Sequence, residues 1–160
     1  MNPISIAASA VVLLGLGITL RSTNGRLIVV FGAGGDRDPS KRPLMGAEAA
    51  RFADFTVLTA DNSRSERTED IIDAILQGMS PDAPRLVEPN RRDAIRKAVA
   101  MAEPGDLVLL AGKGHETYQE LDGARFPFDD REEARRALVG LAWRRAKEAN
   151  RAALSVAGIG

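Results

Sequence analysis

Three short polar segments, each lying directly after a run of apolar residues, constrain this chain more than any other feature: Phe31 to Asp38 (FGAGGDRD), Asp61 to Arg64 (DNSR) and Gly112 to Glu116 (GKGHE). A short apolar run followed by a polar turn reads as a strand buried on both faces, the kind found in an open parallel sheet. In such a sheet the loops leaving the carboxyl ends of the strands face one crevice, so segments far apart in sequence meet on one ligand. The three motifs are therefore expected to build a single site.

The sequence between them repeats a strand–helix rhythm. Leu27 to Phe31 (LIVVF), Phe55 to Thr59 (FTVLT) and Leu107 to Ala111 (LVLLA) read as strands, and Arg85 to Val87 as a short one. Pro43 opens a first helix with Leu44, Ala47 and Phe52 near one face. Thr68 caps a second, whose apolar face is Ile71, Ile72, Ile75 and Leu76 before Gly78 stops it, and Asn90 caps a third that carries Ile95, Ala98, Val99 and Ala102. Beyond GKGHE the rhythm changes. Asp122-Gly123 predicts a tight hairpin turn before Arg125 to Phe128, with one antiparallel strand closing the sheet. Asp130 and Glu133 have capping-box-like spacing for an amphipathic helix running through Arg151. The fold class is α/β: a Rossmann-like three-layer domain with a mostly parallel sheet, right-handed crossovers and an antiparallel strand near the C-terminal end.

Composition narrows the chemistry. A chain of 160 residues with 44% hydrophobic content can bury about two-thirds of its unfolded surface in one core. Twenty-two basic against 22 acidic residues leave no net charge, so nothing in the bulk electrostatics calls for a nucleic acid or an anionic membrane. With no cysteine and one histidine, disulfides and thiolate metal sites are excluded, no metal site is expected, and a reducing cytoplasm fits. Ile4 to Leu20 is apolar and uncharged, at the short limit of the roughly 20 residues that a spanning helix needs. It lacks the positive start of a signal peptide. Three readings stay open for it: a buried helix, an end altered by truncation and a membrane segment.

Each motif also has a plain structural reading beside its chemical one. Gly32, Gly34 and Gly35 let backbone N–H groups approach a ligand, yet Arg37 stands where a dinucleotide fingerprint needs its last glycine, and Lys113 is followed by Gly114 where a Walker A loop needs Ser or Thr. Asp36, Arg37 and Asp38 form either a solvated turn or an arginine fork for a carboxylate. Asp61 and Asn62 are ordinary turn residues, and Arg64 an ordinary surface charge, unless the crevice recruits them. His115 is an acid–base candidate or a loop-orienting group, and Glu116 either a partner for a ligand ammonium or a helix-start carboxylate.

From about Gly25 to Leu138 the chain resembles the C-terminal domain of the Mur ligases, in the form that adds meso-diaminopimelate. FGAGGDRD, KRPLMG (Lys41 to Gly46), DNSR with Glu66 nearby, AGKGHETYQ (Ala111 to Gln119) and FDDRE (Phe128 to Glu132) stand in the family's order and spacing. The resemblance implies an ATP-dependent ligase of peptidoglycan synthesis in the cytoplasm, which activates the D-glutamate carboxyl of UDP-MurNAc-L-Ala-D-Glu as an acyl phosphate for attack by diaminopimelate. By motif position Arg37, Asp61, Asn62, Ser63, Arg64, Gly112 and Glu116 would bind the amino acid, with Asp36 contacting ATP and His115 in a supporting role. Arg64 stands where the family arginine favours diaminopimelate over lysine. Ser63 replaces the family's proline, which should loosen the turn presenting Arg64.

A complete family member has three domains, and this sequence resembles the last. The expected division is an apolar segment 1–24, the ligase domain 25–138 and a helical extension 139–160. The UDP-sugar and ATPase domains, with ATP and Mg2+, would come from elsewhere, for instance from a central ATPase domain in trans. The domain alone is not expected to catalyse ligation or to hold the cofactors tightly. The competing class is a noncatalytic module, tethered to a membrane through Ile4 to Leu20, that binds diaminopimelate or a peptidoglycan fragment.

Overall fold

The computed structural model describes residues 5–9 and 25–156, with side chains at 25–149 and 151. Strands β1 (Ser5–Ser9), β2 (Leu27–Phe31), β3 (Phe55–Leu58), β4 (Arg85–Val87) and β5 (Leu107–Ala111) form one sheet in the order β1-β5-β2-β3-β4, every neighbouring pair parallel. Helix α1 (Lys41–Phe52) links β2 to β3, α2 (Thr68–Leu76) links β3 to β4, and α3 (Arg91–Met101) returns to β5. A hairpin, β6 (Tyr118–Leu121) and β7 (Ala124–Pro127), precedes α4 (Asp130–Val156).

The alternation of a strand's side chains sorts the core into two layers. Ile28 and Val30 of β2 join Val57, Val108 and Leu110 under α3 and α4, where Ile95, Ala98, Val99 and Ala137 meet them. Val29 and Phe31 point the other way and pack with Leu58 and Ala111 against Ala49 of α1 and Ile71, Ile72 and Ile75 of α2. Burying each of the valine, leucine, isoleucine and phenylalanine side chains among these contributes about 1.5–3 kcal/mol. The helices lie over one face while the chain steps outward from β2 and over the other when it steps back, as a constant crossover hand requires.

Several local expectations change. Leu44 is 62% exposed and Ala47 is exposed; α1 instead buries Arg42, Gly46 and Ala49. The cause is close helix packing, since a Cβ on Gly46 would stand 2.1 Å from the Ile75 carbonyl oxygen. Thr68 is the first residue of α2, not its cap, whereas Asn90 does cap α3 by accepting from Asp93 N–H. Asp129 caps α4, its carboxylate accepting from Arg131 N–H at 2.9 Å. Asp122 and Gly123 both have positive φ, the type I′ geometry that a two-residue hairpin favours. That hairpin forms its own two-stranded sheet and does not close the main one. Within the apolar N-terminal run, Ser5–Ser9 is a parallel edge strand beside β5 and not part of a helix; 10–24 lie outside the described residues. Among the described residues no helix is long and apolar enough to cross a membrane.

Candidate functional site

The strand order reverses between β2 and β5, because the chain leaves β2 in one direction along the sheet and returns to its other side. Loops on the two sides of that reversal diverge and open a crevice at the carboxyl ends of the strands. Residues 32–40 follow β2, 59–67 follow β3 and 112–117 follow β5, so all three polar motifs arrive at this edge.

Asn62, only 3% exposed, ties the motifs together. Its Oδ1 accepts from Lys113 Nζ at 3.0 Å and from Glu120 N–H at 2.9 Å, which leaves its Nδ2 to donate to Glu116 Oε2 at 2.9 Å. Its carbonyl accepts from Gly35 N–H at 2.9 Å. The Lys113 side chain is wholly buried, 3.6 Å from Asp61 Oδ1 and 3.7 Å from Glu116 Oε2. Burial pushes its ammonium below the usual lysine range, while Asp61 and Glu116 pull it back. Gly112 has φ +109, and a Cβ there would stand 2.7 Å from Asp61 Oδ2. Only glycine lets this backbone pass so close to the carboxylate.

Two arginines meet at the glycine-rich loop. A Cβ on Gly34 would lie 3.0 Å from Arg64 Nη1 and 3.5 Å from Arg37 Cγ, so both chains run past one point. Arg64 Nη1 donates to the Gly35 carbonyl at 2.7 Å. Among the described residues neither Arg37 nor Arg64 pairs with a carboxylate of this chain. Arg64 adopts φ +53, a left-handed conformation that costs about 1–2 kcal/mol. The hairpin holds it there: Arg64 N–H donates to the Glu120 carbonyl and its own carbonyl accepts from Gly123 N–H. Ser63 is buried, with its hydroxyl 2.6 Å from that of Thr68. This side-chain hydrogen bond anchors the turn.

Beneath these loops lie two further ion pairs. Arg42 Nη1 and Nη2 each reach Glu66 at 2.8 Å, and Nη2 also reaches the Gly34 carbonyl. The Arg42 guanidinium, with help from Asp36 N–H, holds the Glu66 carboxyl down at about 2. Arg91, 1% exposed, binds Asp130 through Nε at 2.8 Å and Nη2 at 2.6 Å, while Nη1 donates to the Ala60 carbonyl and Nη2 also to that of Ala111. It thus joins the ends of β3 and β5 to the start of α4, directly under the crevice.

Asp36 is exposed, but its carboxylate is committed to the Ser65 hydroxyl at 2.6 Å. His115 is exposed beside Glu116. Among the described residues no group of three His, Asp or Glu side chains is placed to hold a metal ion, and the glycine-rich loop has no phosphate-binding lysine.

The family model described as "Mur ligase, glutamate ligase domain" matches residues 4–114. The chain belongs to the Mur ligase family. The match to this Mur ligase domain starts inside the apolar N-terminal run, in keeping with the place of β1 in the sheet. The UDP-N-acetylmuramoyl-L-alanyl-D-glutamate–2,6-diaminopimelate ligase of Thermosynechococcus vestitus is 58% identical over 114 residues, covering 71% of this chain and 23% of that protein. The ligase of the same name from Aquifex aeolicus is 49% identical over 118 residues, covering 74% and 24%. A solved structure titled as such a ligase superposes with TM-score 0.79 at 38% identity, over 88% of this chain and 30% of that one. The Mur ligase domain thus spans about a quarter of the length of the curated relatives it matches.

Of the candidate residues in this Mur ligase domain, the structure brings Asp61, Asn62, Gly112 and Glu116 into one cluster and sets Arg64 and the stem of Arg37 beside it. Ser63 lies below, and Asp36 braces the neighbouring loop. Lys113, Arg42, Arg91 and Asp130 were not read as site residues. A lysine between two glycines after a buried strand was the available sign for Lys113; nothing in the sequence separates Arg91 from its solvent-facing neighbour Arg92.

Proposed function

We propose that this domain binds the incoming meso-diaminopimelate for a cytoplasmic, ATP-dependent ligase that joins it to the D-glutamate carboxyl of UDP-MurNAc-L-Ala-D-Glu, and that it does not catalyse ligation alone. The observation that carries the reading is the pairing of opposite charges across one crevice. Asp61 and Glu116 offer acceptors for an ammonium group, and the Arg64 guanidinium lies beside the same loops, next to the stem of Arg37, with neither arginine paired to a carboxylate among the described residues. An amino-acid end carries both complementary charges, and guanidinium–carboxylate pairs are strong and directional. A second carboxylate distinguishes diaminopimelate from lysine, and an arginine left unmatched would penalise the ligand that lacks it. The names of the similar ligases support this choice of amino acid.

Activation of the acceptor carboxyl belongs, in this reading, to the rest of the enzyme. The role of this domain is to hold the amine donor in position and to exclude water when it closes over the reacting groups. Backbone amide NMR of the purified chain tests the assignment. Added meso-diaminopimelate is expected to shift the signals of 32–38, 61–66 and 112–116 and to leave α3 and α4 unmoved. Shifts confined to other surfaces, or none at all, would contradict it.

A further inference from the structure

Lys113 has no part in the ligand contacts just described, yet it is the most unusual residue of the site. Its ammonium is wholly buried, and burying a charge is costly unless it is paired and hydrogen-bonded. It makes one good hydrogen bond, to Asn62 Oδ1 at 3.0 Å. The two carboxylates lie just beyond hydrogen-bond range, Asp61 Oδ1 at 3.6 Å and Glu116 Oε2 at 3.7 Å. The Tyr118 ring lies 5.7 Å away, and the Arg91–Asp130 pair adds one charge of each sign at longer range.

This geometry has two consequences. The cation forces Asn62 to present its oxygen inward, because a reversed amide would set N–H groups against the ammonium and against Glu120 N–H. Asn62 Nδ2 then has to face outward and hold Glu116 Oε2. In addition, the buried ammonium offsets one of the two carboxylates beside it, Asp61 and Glu116.

We propose that Lys113 is a positioning and specificity residue, which fixes the orientation of Asn62 and offsets one of the two carboxylates so that the wall accepts a single ligand ammonium. Its selectivity role rests on the proposed amino-acid site; its hold on Asn62 does not. The ligand is an α-amino acid, recognised by one ammonium at Asp61 and Glu116, and Lys113 acts on it only through these neighbours.

The test uses Lys113→Met, which keeps the length of the stem and removes the charge, and reads two signals. In the folded variant the side-chain amide resonances of Asn62 are expected to move, and binding of meso-diaminopimelate to weaken by about tenfold or more, because Asn62 no longer holds Glu116 in place and this loss outweighs the added negative charge. Unmoved Asn62 resonances, or unchanged binding, would overturn the proposal. Should the wild-type chain bind no amino acid while the Asn62 resonances still move in the variant, the proposed function fails and the orienting role stands. If Lys113→Met does not fold, the wild-type protein decides. An observable Lys113 ammonium resonance, shielded from exchange and close to Asn62 in nuclear Overhauser spectra, supports the proposal, and a solvent-averaged one overturns it.

Discussion

The single residue on which substrate choice turns in this account is Arg64. Its left-handed backbone and its bond to the Gly35 carbonyl aim the guanidinium across the glycine-rich loop, and Ser63 secures the turn through Thr68. Replacing Arg64 with alanine removes a charge that no carboxylate of the described chain neutralises. Arg64→Ala is therefore expected to weaken meso-diaminopimelate binding by about tenfold or more and to leave lysine almost unaffected, so the preference between them disappears. Lys147→Ala, which disturbs only a cation resting on the exposed Trp143 ring, should change neither affinity. Parallel titrations of both variants with both amino acids would show this, and a preference surviving in Arg64→Ala would refute it.

At the level of elements, one buried ion pair, Arg91–Asp130, and one half-buried pair, Arg42–Glu66, brace the loops that form the crevice. Removing one partner from the Arg91–Asp130 pair leaves a buried charge uncompensated and is expected to cost about 3–5 kcal/mol, a large share of a domain's total stability. Asp130→Ala should therefore unfold at much lower denaturant than wild type, while Arg91→Met combined with Asp130→Leu should recover part of the loss; equal midpoints for wild type and Asp130→Ala would contradict the role. The Arg42–Glu66 pair makes a prediction about pH. The Glu66 carboxyl is depressed from 4.5 to about 2, so the folded state binds this proton less readily than the unfolded chain. Its contribution is fully present above about 4.5 and is lost as pH falls toward about 2. Glu66→Gln should flatten that part of the stability–pH curve, as measured by denaturant unfolding; an unaltered acid limb would exclude Glu66 as its source. Much of this level was legible in the sequence, because parallel strands buried on both faces appear as continuous apolar runs such as LIVVF and LVLLA. The face of α1 was not legible, since a backbone contact at Gly46 decides it, and nothing local marks Arg42 or Arg91 as buried. The crevice itself could be read from three motifs after three strands. The inward-facing Lys113 could not, because its burial depends on how the loops after β3 and β5 close around Asn62.

For the whole molecule, the topology explains why a domain about a quarter the length of its relatives still carries a complete amino-acid site in this account. Every proposed ligand contact comes from loops at one edge of one sheet. Among the described residues no group of His, Asp or Glu side chains is placed to hold a metal ion, and in this account the domain binds without ligating. Calorimetric titration of the purified chain with meso-diaminopimelate and, separately, with L-lysine tests this central claim most directly. Saturable binding of meso-diaminopimelate with a clear preference over L-lysine is the predicted result. Equal responses to the two, or heat from neither, would contradict the assignment of the amino-acid site to this domain.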